Sequence, residues 1–294
     1  MLITSPTNPR VGRVKELHTA KGRKKSGLFL VEGLNLLEAI LDADLVPYEV
    51  YYYPEYLQRT PRGRELLQRL LHTQSDEHLI EVNERVIEAI SDAVTAQGIV
   101  SVLSLVAFEA DKIRVQRTRH LAKMSSDAAR ETAIQRPVLL ILDGISDPGN
   151  MGTILRTALA ADVDTVLLTP NCVDCYSPKV VRAAVGTHML LPIERDLSWA
   201  ALAEKVQVHC AGHARVLLAD SASTTLYYEQ DLIRPFALLI GNEAHGPSVE
   251  AYALATTRVM IPLANAVESL NAAMATGVIV YEAMRQRGLV KLDI

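Results

Sequence analysis

The rhythm of apolar and polar positions changes near residue 110. Before that point, short apolar runs such as Leu28-Phe29-Leu30-Val31 and Val50-Tyr51-Tyr52-Tyr53 alternate with stretches of helical spacing over 33–42 and 62–71. That mixture predicts a small α/β domain. The span 109–136 is polar, basic and poor in large apolar side chains, and reads as a linker. After Pro137 come runs rich in Leu and β-branched residues at 138–142, 165–169, 189–193, 215–219, 236–240 and 258–261, most of them separated by helix-length segments. Their alternation predicts a mostly parallel sheet covered on both faces. Helix punctuation is legible as well. Ser177-Pro178 opens a helix that Gly186 closes, and a long final helix over 269–287 ends at Gly288. Its Leu270, Met274, Val278 and Tyr281 are spaced for one buried face.

Composition narrows the class without naming a chemistry. The 294 residues suffice for two domains, and 49% hydrophobic with 22% charged side chains is an ordinary globular balance. No apolar run reaches the ~18–20 residues that cross a bilayer, and the first residues lack the apolar core of a secretory signal. The expectation is a cytoplasmic protein without a membrane partner. Cys172, Cys175 and Cys210 are too few to staple so long a chain, as befits a reducing compartment.

The formal net charge of −4 hides two basic stretches. One holds Arg10, Arg13, Lys15, Lys21, Arg23, Lys24 and Lys25; the other runs from Lys112 to Arg136. Each is either a phosphate-binding surface or a solvated helix face or linker.

Candidate chemistry collects just after strand ends, where open α/β sheets bind their ligands. Three segments stand there: 143–152 leading to Arg156, 240–246, and 261–262 with 268–271. The spacing of Gly144, Gly149 and Gly152 is not that of a dinucleotide fold, and no Lys-Ser or Lys-Thr follows a glycine-rich loop. In the first segment Asp147-Pro148-Gly149-Asn150 forms a turn in which Asn150 is the candidate helix cap. Arg156 then sits near the positive end of that helix, where anions are drawn; a capping Asn and a surface Arg are the plainer reading. Gly241-Asn242-Glu243 sets a carboxylate beside a glycine that permits close approach. Cys172-Val-Asp-Cys175, with His209, Cys210 and His213, invites a zinc or redox reading, but its place before a helix favours structural cysteines, and no metal site is assigned. His188 and His245 read as histidines without catalytic duty. Neither Ser146 nor Ser269 lies in a hydrolase elbow.

Together, the three segments closely resemble the signature motifs of the SpoU/TrmH branch of the SPOUT methyltransferases, over about 137–287. Matching stretches between them include Tyr176-Ser-Pro-Lys-Val-Val-Arg-Ala-Ala-Val-Gly186. The segment 8–32, with Asn-Pro-Arg and Leu-Phe-Leu-Val-Glu-Gly, resembles the ribosomal-protein-like RNA-binding domain of rRNA-modifying members. The resemblance implies an RNA substrate-binding domain over 1–108, a linker over 109–136 and a trefoil-knotted methyltransferase domain over 137–294.

It implies S-adenosylmethionine as cofactor, a ribose 2′-hydroxyl of structured RNA as acceptor, ribosomal RNA before transfer RNA, and a homodimer in which Arg156 acts across the two-fold interface. Asn150, Arg156, Glu243, Ser269 and Asn271 are implied as catalytic or orienting groups. Gly241, Ile261 and Leu270 would surround the cofactor, and Arg10, Lys15, Arg23 and Lys24 would touch RNA. Ala264-Asn265-Ala266 and Ala272-Ala273 depart from the usual pattern of the third motif. A non-catalytic RNA-binding assembly factor on the same fold is the alternative of a different class.

Overall fold

The computed structural model describes residues 1–75, 77–108, 137–210, 212, 214–265 and 267–288. The linker expected over 109–136, with the second basic stretch, lies outside the described residues, as do His213 and Ala266.

In chain order the first elements are β1 (Leu2–Ile3), α1 (Pro9–Glu16), α2 (Ala20–Ser26), β2 (Leu28–Glu32), α3 (Leu34–Asp42) and β3 (Glu49–Tyr52). There follow α4 (Pro54–Leu57), α5 (Pro61–Thr73), β4 (Leu79–Val82), α6 (Glu84–Ile90) and β5 (Ile99–Ser104). Beyond the undescribed span come β6 (Val138–Leu142), α7 (Pro148–Ala160), β7 (Thr165–Leu168), α8 (Pro178–Ala184), β8 (Ile193–Glu194) and α9 (Trp199–His209). The chain ends with β9 (Val216–Ala219), β10 (Phe236–Ile240), α10 (Val249–Leu254), β11 (Thr257–Val259) and α11 (Ala272–Gln286).

These elements form two compact units. The first comprises the described residues up to 108 together with Asp174–Met189. Its five strands are ordered β1-β4-β3-β5-β2, parallel from β1 to β3 and antiparallel across β5. Helix starts follow local chemistry: Asn8, Thr19, Thr60 and Asn83 each accept a backbone N–H of the first turn. One face of the sheet buries Val11, Val14, Val86 and Ile90 from α1 and α6 against Tyr51 and Ile80. The other buries Leu37, Leu66 and Leu70 from α3 and α5 against Val50 and Leu79. Each such side chain contributes roughly 1.5–3 kcal/mol of burial.

The second unit holds a six-stranded sheet, β11-β9-β10-β6-β7-β8, in which every pairing is parallel. Its central strands, Val138-Leu-Leu-Ile-Leu142 and Phe236-Ala-Leu-Leu-Ile240, are buried at every position, which is why they read as unbroken apolar runs. Leu139, Ile141, Ala237 and Leu239 pack against Leu202 and Val206 of α9. Among the described residues, no helix is long and apolar enough to cross a membrane.

The structure corrects several expectations. The strand anticipated over 189–193 is reduced to Ile193–Glu194, preceded by a 3-10 turn at Thr187–Met189. Pro192 supplies a carbonyl to Val166 but has no N–H to donate to a ladder. The final helix starts at Ala272, and its anticipated buried face is outward: Met274 is 60% and Tyr281 50% exposed. The buried face is Ala272, Ala273, Thr276, Ile279, Val280 and Ala283, small enough for α11 to approach α7; a Cβ on Gly277 would meet the Thr157 methyl at 3.6 Å. Ser177 does precede α8, yet its hydroxyl makes no capping bond. The span 174–189 packs with the first unit rather than with the sheet whose strands flank it in sequence.

Candidate functional site

Four neighbouring strands of the parallel sheet, β11, β9, β10 and β6, end on the same side and hand the chain to loops. The loop after β6 begins with Asp143, whose N–H reaches the Ile240 carbonyl and whose carboxylate accepts the Ser248 N–H at 2.8 Å. Asn242 then ties this loop to the one after β10, donating its amide to the Gly144 carbonyl at 2.6 Å. Its Oδ1 accepts the N–H groups of Ala244 and His245. Gly241 has no room for a side chain, since a Cβ there would stand 2.6 Å from the Pro247 nitrogen.

The cap of α7 is Asp147, not Asn150: the Asp147 carboxylate accepts the Asn150 N–H at 2.7 Å, and Pro148 takes the first helical position. This frees the Asn150 side chain for the site. Its Nδ2 donates to Glu243 Oε1 at 2.5 Å, and its Oδ1 accepts from Asn271 Nδ2 at 2.8 Å. Asn271 caps α11, its Oδ1 accepting the N–H groups of Ala273 and Met274. The orientation is self-consistent. Helix N–H groups fix which end of the Asn271 amide is oxygen, its NH₂ fixes the Asn150 oxygen, and the remaining NH₂ meets the acceptor-only carboxylate. Residues from all three segments thus form one continuous chain of hydrogen bonds.

Arg156 stands apart from it. The residue lies six positions beyond Asn150, about 9 Å along the helix and roughly 120° around it. It is exposed and, among the described residues, its side chain has no hydrogen bond or ion pair.

Beside Glu243 opens a cavity of about 380 Å³ lined by Gly241, Ile261, Ser269 and Leu270 among others. Its walls are apolar at Ile240, Val259, Ile261, Leu263 and Leu270. Asp220, Glu243 and Glu268 bring carboxylates, whereas no lysine, arginine or histidine lines it among the described residues. Arg258 balances Asp220 at 2.7 Å from behind the wall. Burial first, then the Asp220 carboxylate, holds the Tyr252 phenol above its usual range. Glu243 and Glu268 are exposed and face no cation across the cavity.

Reasoning from sequence missed Asp147, Asn242, Asp220 and Tyr252. The Asp-Pro step at a helix start was a usable signal for the first; the others depend on partners distant in sequence. The cysteines are free, and no group of three metal-ligating side chains gathers among the described residues. Cys172 donates to the Leu142 carbonyl at 3.2 Å, and the His188 ring contacts the Cys175 carbonyl at 2.7 Å.

The proposed RNA contacts divide. Lys15 and Lys24 are exposed and Arg10 is half-buried. Arg23 is 3% exposed; its fork holds Asp174 at 2.7 Å and its Nη1 donates to the Leu17 carbonyl at 2.7 Å, so its donors are occupied inside the protein.

The SpoU rRNA methylase family model matches residues 137–281, and that of the MRM3-like substrate binding domain matches 8–101. A tRNA/rRNA methyltransferase of Synechocystis sp., itself uncharacterized, is 35% identical, covering 97% of this chain and 94% of that protein. A solved RNA 2′-O ribose methyltransferase is similar with a TM-score of 0.74 at 26% identity, over 98% of this chain and 99% of its own. An AdoMet-bound rRNA methyltransferase from Sinorhizobium meliloti is similar with a TM-score of 0.74 at 28% identity, over 97% of each chain.

Proposed function

The chain belongs to the SpoU rRNA methylase family, and from that premise we propose that it transfers a methyl group from S-adenosylmethionine to a ribose 2′-hydroxyl of ribosomal RNA. The observation that carries this reading is the hydrogen-bonded chain Asn271–Asn150–Glu243 at the rim of the cavity.

The lining suits the cofactor. Its volume falls within the ~300–1,000 Å³ of small-molecule sites. Apolar walls match an adenine, and carboxylates without a lining cation favour a sulfonium over a nucleoside phosphate. Gly241, Ile261 and Leu270 would hold the nucleoside, with Ser269 beside them. Bound S-adenosylmethionine supplies a methyl group on a sulfonium, already activated for displacement.

The protein's task is therefore to position the acceptor oxygen. Asn150 holds the Glu243 carboxylate in one place and Asn271 holds Asn150, so the rim is organised before RNA arrives. Arg156 projects its guanidinium freely, as a group that grips a phosphate and its ribose does. Arg156 thus grips phosphate and ribose with its planar fork, while the hydroxyl proton leaves late, through Arg156 or water.

Exposed Lys15 and Lys24, with Arg10, belong to the unit that matches a substrate-binding domain, and they supply its phosphate contacts. Exposed Met274 and Tyr281 give α11 an apolar face that a second copy covers, making the protein a homodimer with Arg156 reaching its partner's site. The trefoil knot implied by the family accompanies this fold. A cytoplasmic location agrees with the free cysteines.

The test incubates the protein with labelled S-adenosylmethionine and total RNA and maps the modified nucleotide. Label on a ribosomal ribose is expected. Label on transfer RNA would move the target, and no transfer to any RNA would overturn the reading in favour of an assembly factor.

A further inference from the structure

The three carboxylates that line the cavity are not alike. Glu243 gives one oxygen to Asn150, and Glu268 is exposed. The Asp220 side chain is 7% exposed and fully engaged within the second unit. Its Oδ1 accepts the Ala222 N–H at 2.9 Å. Its Oδ2 accepts from Nε and Nη2 of Arg258, each at 2.7 Å, and from the Tyr252 hydroxyl at 3.3 Å. A carboxylate offers about four acceptor positions, so these four donors leave none over for a ligand. Asp220 belongs to the wall.

The backbone beside it is sewn to β11. The Asp220 N–H reaches the Val259 carbonyl at 2.9 Å, and the Ser223 N–H returns to the Asp220 carbonyl at 3.1 Å. Ser223 Oγ donates to the Arg258 carbonyl at 2.8 Å and accepts the Thr225 N–H at 3.2 Å. Ala219, Asp220 and Ser221 line the cavity from the turn, and Val259 and Ile261 line it from β11 and its extension. Arg258 joins the two without lining the cavity itself.

We propose that Arg258 is a positioning residue for the cofactor: without touching it, Arg258 keeps Asp220 in the wall and so holds the 219–222 turn that forms one side of the cavity. This rests on the function proposed above, which places S-adenosylmethionine there. An ionised carboxylate withdrawn from water stays where donors and an opposite charge replace its hydration. Arg258 supplies two of the four donors and the charge. Without it, Asp220 turns out to water and releases Ala222, and with it the turn. Backbone pairing offers little resistance, because β11 is a three-residue strand at the edge of its sheet.

The experiment compares the full-length wild type with Arg258→Met and with Arg258→Met/Asp220→Asn. It uses calorimetric titration of S-adenosylmethionine, hydrogen exchange across 219–225 and steady-state methylation of RNA. The double variant removes the stranded charge yet keeps an amide oxygen for the Ala222 N–H, so it is a rescue as well as a guard against unfolding.

In Arg258→Met, exchange at Ala222 and Ser223 is expected to accelerate about tenfold. The Kd for S-adenosylmethionine rises about tenfold, while kcat at saturating cofactor and the KM for RNA stay within about twofold. The double variant returns exchange and affinity to within about threefold of wild type. Where Arg258→Met does not fold, Arg258→Lys, which keeps the charge and loses the fork, is read in its place, with a rise of about threefold in Kd expected. Unchanged exchange and affinity overturn the proposal. So does a double variant that binds as weakly as Arg258→Met, which would make Asp220 itself a cofactor ligand, and so does a raised KM for RNA at constant cofactor affinity, which would make Arg258 an RNA contact. If the wild type binds no S-adenosylmethionine, the proposed function fails, and the exchange measurement still decides whether Arg258 holds the turn.

Discussion

The two sheets dispose of their polar groups in opposite ways. In the parallel sheet every strand points in one direction, so the loops after β6, β10 and β11 gather on one side, and Asn150, Glu243 and Asn271 meet there. In the mixed sheet, strand direction reverses across β5, and loops scatter to both ends. Its interior polar groups are absorbed locally: Glu32 accepts from Ser91 and from the Asp92 N–H, and Arg23 is consumed by Asp174. Among the described residues, the first unit leaves outside Lys15, Lys21, Lys24 and Lys25, exposed and without an ion pair. Under the proposed function, the contrast separates a site for chemistry from a surface for a polyanion.

That separation predicts distinct kinetic signatures. The largest effect is expected from Arg156→Ala, which removes the cation proposed to grip the acceptor: kcat/KM for RNA falls about 10²–10³-fold with cofactor affinity unchanged by calorimetry. Arg156→Lys restores little if the planar fork matters. Next come Asn150→Ala and Glu243→Gln, each lowering kcat about ten- to a hundredfold. Their double variant is expected to be much less than additive because both cut the same link, a result that a double-mutant cycle reads directly.

On the other unit, Lys15→Ala/Lys24→Ala leaves kcat near wild type. It raises the KM for RNA and flattens the salt dependence of binding, by roughly 0.7 in slope per lost contact on single-stranded RNA. Equal losses of kcat from both units would break the comparison. The smallest effect concerns Cys172, whose thiol burial pushes above its ordinary range. A raised thiol pKa keeps the neutral form at pH 7–8, so alkylation is expected to lag an unfolded control and to rise only in alkaline solution.

Much of the fold was legible in the chain. The apolar runs at 138–142 and 236–240 are strands with those bounds because central parallel strands bury both faces and tolerate no polar alternation. The last helix was legible as a helix but not in its orientation. Periodicity places Leu270, Met274 and Tyr281 along one stripe but does not say what covers it, and close packing of α11 on α7 selected the alanine side instead. The placement of 174–189 was hidden for a similar reason: Asp174 and Tyr176 find their partners at Arg23 and Phe29, far earlier in the chain.

For the site, the glycines and amides marked three places, but their meeting spans 93 residues between Asn150 and Glu243 and 121 between Asn150 and Asn271. No spacing rule reaches so far, and only the resemblance to a family joined them. Asn150 was mistaken for a cap because Asn and Asp both suit that position; Pro148 decides for Asp147 by occupying the next residue.

The most direct test is a calorimetric titration of S-adenosylmethionine into the wild-type protein and into Leu270→Asp, a change confined to an exposed loop residue at the cavity wall. One cofactor per chain is expected to bind, with affinity reduced about tenfold or more in the variant by a polar group placed against the nucleoside. Absence of binding to the wild type, or undiminished binding to Leu270→Asp, would contradict it.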